Sequence, residues 1–313
     1  MTVLATGNDF YSAPRVSPDG SKIAYLTWSH PNMPWDSTAL MVASATDGSD
    51  PVTVAGGLDS NVSVLQPLWQ PGTGVLHFLS DETGWYNLYS WSEAAADTTA
   101  PIYPMEAEFS GSSPGWRLGQ QAFTFLCDSS LVATYSCPES GTSVLLIFPS
   151  PASSETAPRL FKGVGHGLPR SFSDVTPSAD GATLYFMGGS PEDSPGIYSW
   201  AIPAAGSPVI AATMVVRSMS EDVSVDPAFI STPQHIEFPT TFNGSDTTAH
   251  GYYYPPANPN CEGPEGAAPP LLVKAHGGPT SQTSSNFRLD VQFWTSRGVA
   301  VLDVDYGRTG LSP

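Results

Sequence analysis

The sequence predicts a mainly β protein of repeated four-stranded units, followed by the beginning of an α/β domain. Two observations support the first part. Helical periodicity is hard to find between about residues 10 and 216, and short aromatic and β-branched runs recur there between turn-forming residues. A third observation supports the second part, because residues 269–307 read as strand, glycine turn, helix and strand.

The repeated unit is a turn containing Asp-Gly or Gly, followed by an alternating strand. It reads RVSPDGSKIAYLTW from Arg15, PLWQPGTGVLHFL from Pro67 and VTPSADGATLYFMG from Val175, and GWRLGQQAFTFL from Gly115 is a weaker copy. The spacing is near the 40–50 residues of propeller blades. One sheet of four strands cannot bury both faces alone, so such blades must stack. We therefore predict four TolB- or WD40-like blades of a partial β-propeller, with a β-sandwich as the alternative.

The later segment has the pattern of a β-α-β unit. The apolar run Leu271 to Lys274 is one predicted strand, and Val299 to Val304 is the second. Asn286 to Arg297 is predicted as a helix between them, with Ser284, Ser285 or Asn286 as its N-cap. The apolar residues predicted to share one helical face are Phe287, Val291, Phe293 and Trp294. A crossover helix implies that the two strands pair in parallel under covering helices.

The turn after the first strand contains residues that could take part in catalysis. Gly277 and Gly278 allow a backbone to approach closely, and they can leave N–H groups aimed outward. Such donors can stabilise the oxyanion that develops during acyl transfer. On these few residues alone, a tight turn in some other α/β sheet is an open alternative.

The motif HGGPTS, followed by FWTSRGVAVLDVDYG, resembles the opening of the catalytic domain in the prolyl oligopeptidase family of serine peptidases. The acylaminoacyl-peptidase and dipeptidyl-peptidase-like branch, in which a β-propeller precedes an α/β-hydrolase domain, is the most similar. The SPDG and NLY motifs resemble the propeller of the same family. The resemblance implies that Gly278 supplies a backbone oxyanion donor, within a turn made by His276, Gly277 and Pro279. It also implies that His276 is not the triad histidine.

The resemblance divides the chain into two predicted domains. Residues 1–232 are the blades of an incomplete ring, and residues 233–313 are the start of the catalytic domain. The segment from Pro233 to Pro256 resembles the entry into that domain, with a strand, a turn at Asn243-Gly244 and a second strand. Because propellers of this family resemble seven- or eight-bladed rings, the chain is interpreted as a truncated member.

The catalytic triad is not found in the sequence. A hydrolase of this fold needs a G-x-S-x-G elbow, then an acid and a histidine, all after the oxyanion turn. Only 35 residues follow Gly278, and none of them forms that elbow. The literal match Gly111–Gly115 lies in the blade region, with Pro114 beside Ser113, and is interpreted as a loop. We therefore predict no catalytic residue in this chain, which should be inactive alone.

Composition excludes several other classes of function. The formal charge is −18, from 11 basic and 29 acidic residues, so neither nucleic acid nor an anionic membrane is a predicted partner. Three cysteines at unhelpful spacings and scattered histidines predict no metal site, and no cofactor is expected. Without a signal peptide or a run of about 20 apolar residues, the predicted location is cytoplasmic. Asp303 and Asp305 flank a strand end, where they could cap it or line a cleft.

Two functions remain open. The first is part of a serine-type peptidase that in its full-length form cleaves short peptide substrates through an acyl-enzyme, as a monomer or as an oligomer. The second is a non-catalytic propeller that binds a protein partner; an HGG-type esterase would leave the blades unexplained. The β-α-β unit should expose apolar side chains at an unpaired sheet edge and favour aggregation. These side chains are Leu271, Leu272, Val299, Val301 and Leu302.

Overall fold

The computed structural model describes most of the chain. The described residues are 3–95, 98–109, 119, 121–137, 140–163, 165–219, 225–242, 244–278 and 281–305. They form two compact units, of which one contains Met1–Tyr135 and Leu146–Arg159, and the other Ser136–Leu145 and Leu160–Pro313. The boundary between residues 232 and 233 stays a prediction.

All five sheets in the described part are four-stranded, and in four of them the strands pair in chain order. The first sheet comprises β1 (Phe10–Val16), β2 (Lys22–Trp28), β3 (Ala39–Ser44) and β4 (Val52–Gly56). The second comprises β5 (Val64–Trp69), β6 (Leu76–Ser80), β7 (Asn87–Trp91) and β8 (Thr99–Pro101). The third comprises β9 (Phe123–Phe125), β10 (Leu131–Cys137), β11 (Thr142–Phe148) and β12 (Arg159–Lys162). The fourth comprises β13 (Ser171–Pro177), β14 (Thr183–Ser190), β15 (Asp193–Ala201) and β16 (Thr213–Arg217).

These sheets confirm the four blades of a partial β-propeller. The predicted repeats from Arg15, Pro67 and Val175 each span the first hairpin of a sheet, and the weaker copy from Gly115 contains β9. The two Asp-Gly turns, at Asp19-Gly20 and at Asp180-Gly181, are built alike. Ser17 donates to the Asp19 carboxylate at 2.6 Å, and Ser178 donates to Asp180 at 2.5 Å. The glycine that follows each aspartate has a positive φ, which explains the requirement for Gly there.

The blade cores are aromatic and aliphatic. One cluster joins the first two sheets and includes Leu26, Leu40, Leu76 and Phe78. Phe78 stacks on Tyr89 of the neighbouring strand with ring centroids 5.9 Å apart. Burial of such side chains is the main stabilising contribution to each blade.

The fifth sheet is mixed and has the order β17-β18-β20-β19. Its elements are β17 (Gln234–Phe242), β18 (Ser245–Tyr254), β19 (Leu271–Ala275), α1 (Leu289–Thr295) and β20 (Ala300–Asp305). Strands β19 and β20 pair in parallel, as the β-α-β pattern predicted, and β18 pairs antiparallel with β20. Tyr252 and Tyr254 are buried on one face of β18 and pack in one cluster with Val291 and Val301.

The helix prediction was wrong at its start and on its faces. Helix α1 begins after Arg288, which makes no side-chain cap hydrogen bond, and not after Ser284, Ser285 or Asn286. The backbone N–H of Phe287 donates to the carbonyl of Ser190 at 2.8 Å, which keeps the preceding segment out of the helix. Phe287 and Val291 are buried, but Phe293 and Trp294 are 48% and 41% exposed.

The prediction of an exposed apolar edge is correct for β19 only. Leu271 and Leu272 are 52% and 38% exposed, whereas Val301 is 1% exposed. Strand β20 is paired along both edges, by β18 and β19, and Val301 packs with Tyr252, Tyr254 and Val291. Among the described residues, no helix is both long enough and apolar enough to cross a membrane.

Candidate functional site

The candidate site lies at the carboxyl ends of β19 and β20. The turn His276-Gly277-Gly278 follows β19 directly, and β20 ends at Asp305. Because the two strands are parallel, these ends meet at the same edge of the sheet. In α/β sheets, this is the edge outside which ligands bind.

Gly278 needs to be glycine for its backbone conformation. Its φ is +81°, and a Cβ built there would meet nothing within 4 Å. Gly277 also has open space around it but does not have a left-handed φ. Pro279, the remaining residue of the predicted turn, lies outside the described residues. The role of Gly278 as an oxyanion donor stays a prediction.

Asp305 lies beneath this turn with 2% of its side chain exposed. Its Oδ1 accepts the backbone N–H of Thr283 at 2.7 Å and lies 3.6 Å from Nε2 of His276. Burial, with a smaller contribution from the Asp303 carboxylate, raises the pKa of Asp305 to about 7, although the Thr283 hydrogen bond opposes this shift. The carboxyl group therefore changes its charge near neutral pH.

Asp303 precedes it on the same face of β20 and has different partners. Its Oδ2 lies 3.8 Å from Nζ of Lys274 and 3.7 Å from a guanidinium nitrogen of Arg288. Both cations also pair with Asp290 on α1, at 3.1 and 3.0 Å. The site therefore combines one carboxylate held by cations with another held by a backbone N–H and a histidine.

Sequence reasoning found part of this constellation. The period of two in a strand places Asp303 and Asp305 on one face, so their proximity could be predicted. Lys274, Arg288 and Asp290 were not predicted as partners, although Lys274 and Asp303 lie opposite one another in the parallel register. The sequence does carry a signal for the Lys274 contact. Two acids at i and i+2 follow one apolar run, and a lysine ends the neighbouring predicted strand.

Strand β18, which pairs with β20 along the edge opposite β19, contributes two buried tyrosines. Tyr252 lies opposite Asp303 in the antiparallel register, and its hydroxyl donates to the carbonyl of Gly141 at 3.1 Å. Burial raises the pKa of Tyr252 to about 12 and that of Tyr254 further. Both phenols therefore stay neutral at physiological pH.

Other candidates lie elsewhere. The G-x-S-x-G match at Gly111–Gly115 lies outside the described residues. Within the described ranges, no group of three or more His, Cys, Asp or Glu could hold a metal ion. His235 on β17 and His250 on β18 stack with ring centroids 5.6 Å apart. A groove of about 820 Å³ beside the connector 256–270 lies at the amino ends of β19 and β20, away from the turn.

Comparison with known proteins identifies structural relatives. No protein-family model matches the sequence, and no curated protein sequence matches it. A puromycin-hydrolyzing peptidase from Mycobacterium tuberculosis is similar over 99% of this chain, with 32% identity and a TM-score of 0.81. A puromycin hydrolase is similar over 97%, with 32% identity and a TM-score of 0.78. Another structure is of that enzyme as a serine-to-alanine mutant complexed with PGG, at a TM-score of 0.77.

The share of each relative that this chain spans is smaller. It covers 43% of the peptidase from Mycobacterium tuberculosis and 42% of both puromycin hydrolase structures. A prolyl endopeptidase structure at 15% identity and a TM-score of 0.61 shares the fold. Together with the blade sheets, these likenesses confirm the resemblance to the prolyl oligopeptidase family of peptidases that the HGGP and SPDG motifs carry.

Proposed function

We propose that this chain provides the propeller blades and the oxyanion-binding turn of a serine-type oligopeptidase. The observation that carries the proposal is the turn at Gly278, whose left-handed glycine follows the first strand of a parallel pair. Hydrolases of the α/β type take one oxyanion donor from the loop at this place. In this proposal, residues 1–232 are the blades and residues 233–313 begin an α/β-hydrolase domain.

Peptides are the proposed substrates, cleaved through an acyl-enzyme when the full catalytic apparatus is present. The names of the relatives support a hydrolase acting on peptides or on puromycin. The serine-to-alanine mutant in one of them supports a serine as nucleophile. Because no G-x-S-x-G follows Gly278, the chain should bind the developing oxyanion but lack the group that attacks the carbonyl.

The first test is the activity of the purified chain. Chromogenic acyl-peptide substrates should not be hydrolysed, and a fluorophosphonate probe should not label the chain, because the nucleophile is missing. A puromycin hydrolase assayed in parallel is the positive control for both reagents. Turnover that copurifies with the chain and is blocked by the fluorophosphonate would contradict the proposal.

The second test places the turn in a complete enzyme. A chimera joins this chain to the remaining catalytic segment of the puromycin hydrolase that is 32% identical to it. Gly278→Ala should lower kcat by about 10- to 1000-fold with a small change in KM. A Cβ disfavours the φ of +81°, so the N–H rotates away from the oxyanion.

Gly277→Ala is the matched control, because its Cβ also enters open space but its φ is not left-handed. It should keep the activity of the parent chimera within a few-fold. Equal effects of the two substitutions would contradict an oxyanion role for Gly278. A folded chimera without any turnover would favour the alternative, a non-catalytic propeller that binds a partner.

A further inference from the structure

We propose that Asp305 is a positioning residue for the turn at Gly278. Its buried carboxylate accepts a hydrogen bond from Thr283, after the glycines, and faces His276, directly before them. The inference rests on the proposed function, because a held turn has a catalytic purpose only if Gly278 is an oxyanion donor. Asp305 is not itself proposed to contact substrate.

The contacts of Asp305 lie on both sides of the glycines. A single oxygen, Oδ1, accepts the N–H of Thr283 at 2.7 Å and faces Nε2 of His276 at 3.6 Å. His276 immediately precedes Gly277-Gly278, and Thr283 follows them by five residues. The His276 side chain is 9% exposed and Thr283 is 8% exposed, so both contacts are shielded from water. One buried carboxylate thus contacts both the residue before the two glycines and a residue after them.

Packing alone does not explain an aspartate at this position. The side chain is 2% exposed, and its Oδ2 has no hydrogen-bond partner among the described residues. A buried carboxyl with an unsatisfied oxygen destabilises a fold, whereas an apolar residue on the same strand would not. A residue that is costly in the fold is expected where its contacts serve a purpose, and both contacts of Oδ1 lie in the turn.

The groups facing Asp305 make the restraint sensitive to protonation. Asp303 lies on the same strand and face, and its repulsion adds to burial in raising the pKa of Asp305 to about 7. His276 faces it from the turn, and His250 lies opposite it in the register of β18 and β20. Lys274 and Arg288 pair with Asp303 instead. Protonation of Asp305 removes the charge that faces His276.

Amide measurements on this chain test the proposal without any catalysis. In Asp305→Ala, the Thr283 N–H loses its acceptor and should exchange with solvent at least tenfold faster, and the Gly278 amide resonance should move. Asp305→Asn should restore the wild-type exchange of Thr283, because its amide oxygen can accept the same hydrogen bond. Asp303→Asn, an equally buried change two residues away, should leave both amides in place.

A pH titration of the Gly278 amide adds a readout that a merely structural role would not move. The wild-type resonance should shift with a midpoint near 7, the value to which burial raises the pKa of Asp305. The midpoint should fall in Asp303→Asn, because the repulsion is removed, and this titration should vanish in Asp305→Asn. A titration that persists in Asp305→Asn would belong to another group and overturn this part of the proposal.

Two outcomes would overturn the proposal as a whole. One is that the Gly278 amide resonance and the Thr283 exchange rate stay unchanged in Asp305→Ala. The other is that Asp303→Asn changes both as much as Asp305→Ala does. If Asp305→Ala does not fold, the pH titration of the Gly278 amide in Asp305→Asn and in Asp303→Asn still tests the proposal. The proposed function fails separately, through Gly278→Ala in the chimera, so an anchored turn without oxyanion activity remains distinguishable.

Discussion

The blade sheets and the fifth sheet use buried positions differently. No described strand of the four blade sheets buries a carboxylate, and their cores are aromatic and aliphatic. Strand β20 instead buries Asp303 and Asp305 beside the turn, and its neighbour β19 exposes Leu271, Leu272 and Val273. The blades thus satisfy packing first, whereas the fifth sheet places charge at its carboxyl edge and leaves the other edge open. Residues that pack poorly, such as the buried carboxylates of β20, are better explained by a function than by stability.

The largest expected effect tests the packing of the blades. Phe78→Ala removes a ring that is 1% exposed and stacked on Tyr89, so it should lower the free energy of unfolding by about 3–5 kcal/mol. Chemical denaturation followed by amide exchange in β6 and β7 measures this for the blades alone. Phe293→Ala on α1 is the control, since its ring is 48% exposed and contacts Arg297. It should cost about 1 kcal/mol or less. Equal losses of unfolding free energy in Phe78→Ala and Phe293→Ala would contradict the difference in packing between the blades and the fifth sheet.

The next effect concerns the charged edge of the fifth sheet. The pKa of Asp305 is raised to about 7 from 3.8, so the folded state holds its proton more tightly than the unfolded state does. Its contribution to stability is therefore full below pH 4 and is lost as the pH rises through 7, by an amount on the order of 4 kcal/mol. Asp305→Asn should remove this loss, which lies between about pH 4 and 7. Amide exchange in β20 measures it, and an unchanged pH dependence in the variant would count against the buried state of the group.

A blade histidine should show the opposite dependence on pH. Burial lowers the pKa of His77 to about 4 from 6.5, despite an opposing hydrogen bond with Val75. The unfolded state therefore takes up the proton first, and stability falls by about 3 kcal/mol as the pH drops from 6.5 to 4. His77→Phe should flatten this acid limb in the amide exchange of β6. His30→Gln, which changes an exposed histidine, should keep it. An acid limb that survives in His77→Phe would assign it to another group.

Local sequence signals were sufficient for the blades and insufficient for the site. The turn glycines Gly20 and Gly181, each preceded by aspartate, define their hairpins through contacts within a few residues, so repeats could be recognised directly. The turn at Gly278 was also found from its local motif. The partners of Asp303 come from β19 and from the segment before α1, and no local pattern encodes them. The start of α1 was missed for the same reason, because a hydrogen bond from Phe287 to the distant Ser190 decides it.

The smallest expected change in stability tests the open edge of the fifth sheet. Leu272 is 38% exposed on β19, which has one neighbour, β20, among the described strands. Leu272→Thr places a β-branched residue in the strand and should alter the free energy of unfolding by about 0.5 kcal/mol or less. It should nevertheless reduce concentration-dependent association measured by light scattering, because exposed apolar edge strands pair with other chains.

The matched control for the edge is Leu76→Thr, which makes the same chemical change at a fully buried position of β6. It should destabilise the blades by about 2–4 kcal/mol and increase association instead of reducing it, because it exposes core surface on unfolding. If Leu272→Thr were as destabilising as Leu76→Thr, β19 would be a packed strand like those of the blades. The contrast between a closed blade and an open functional sheet would then have to be abandoned.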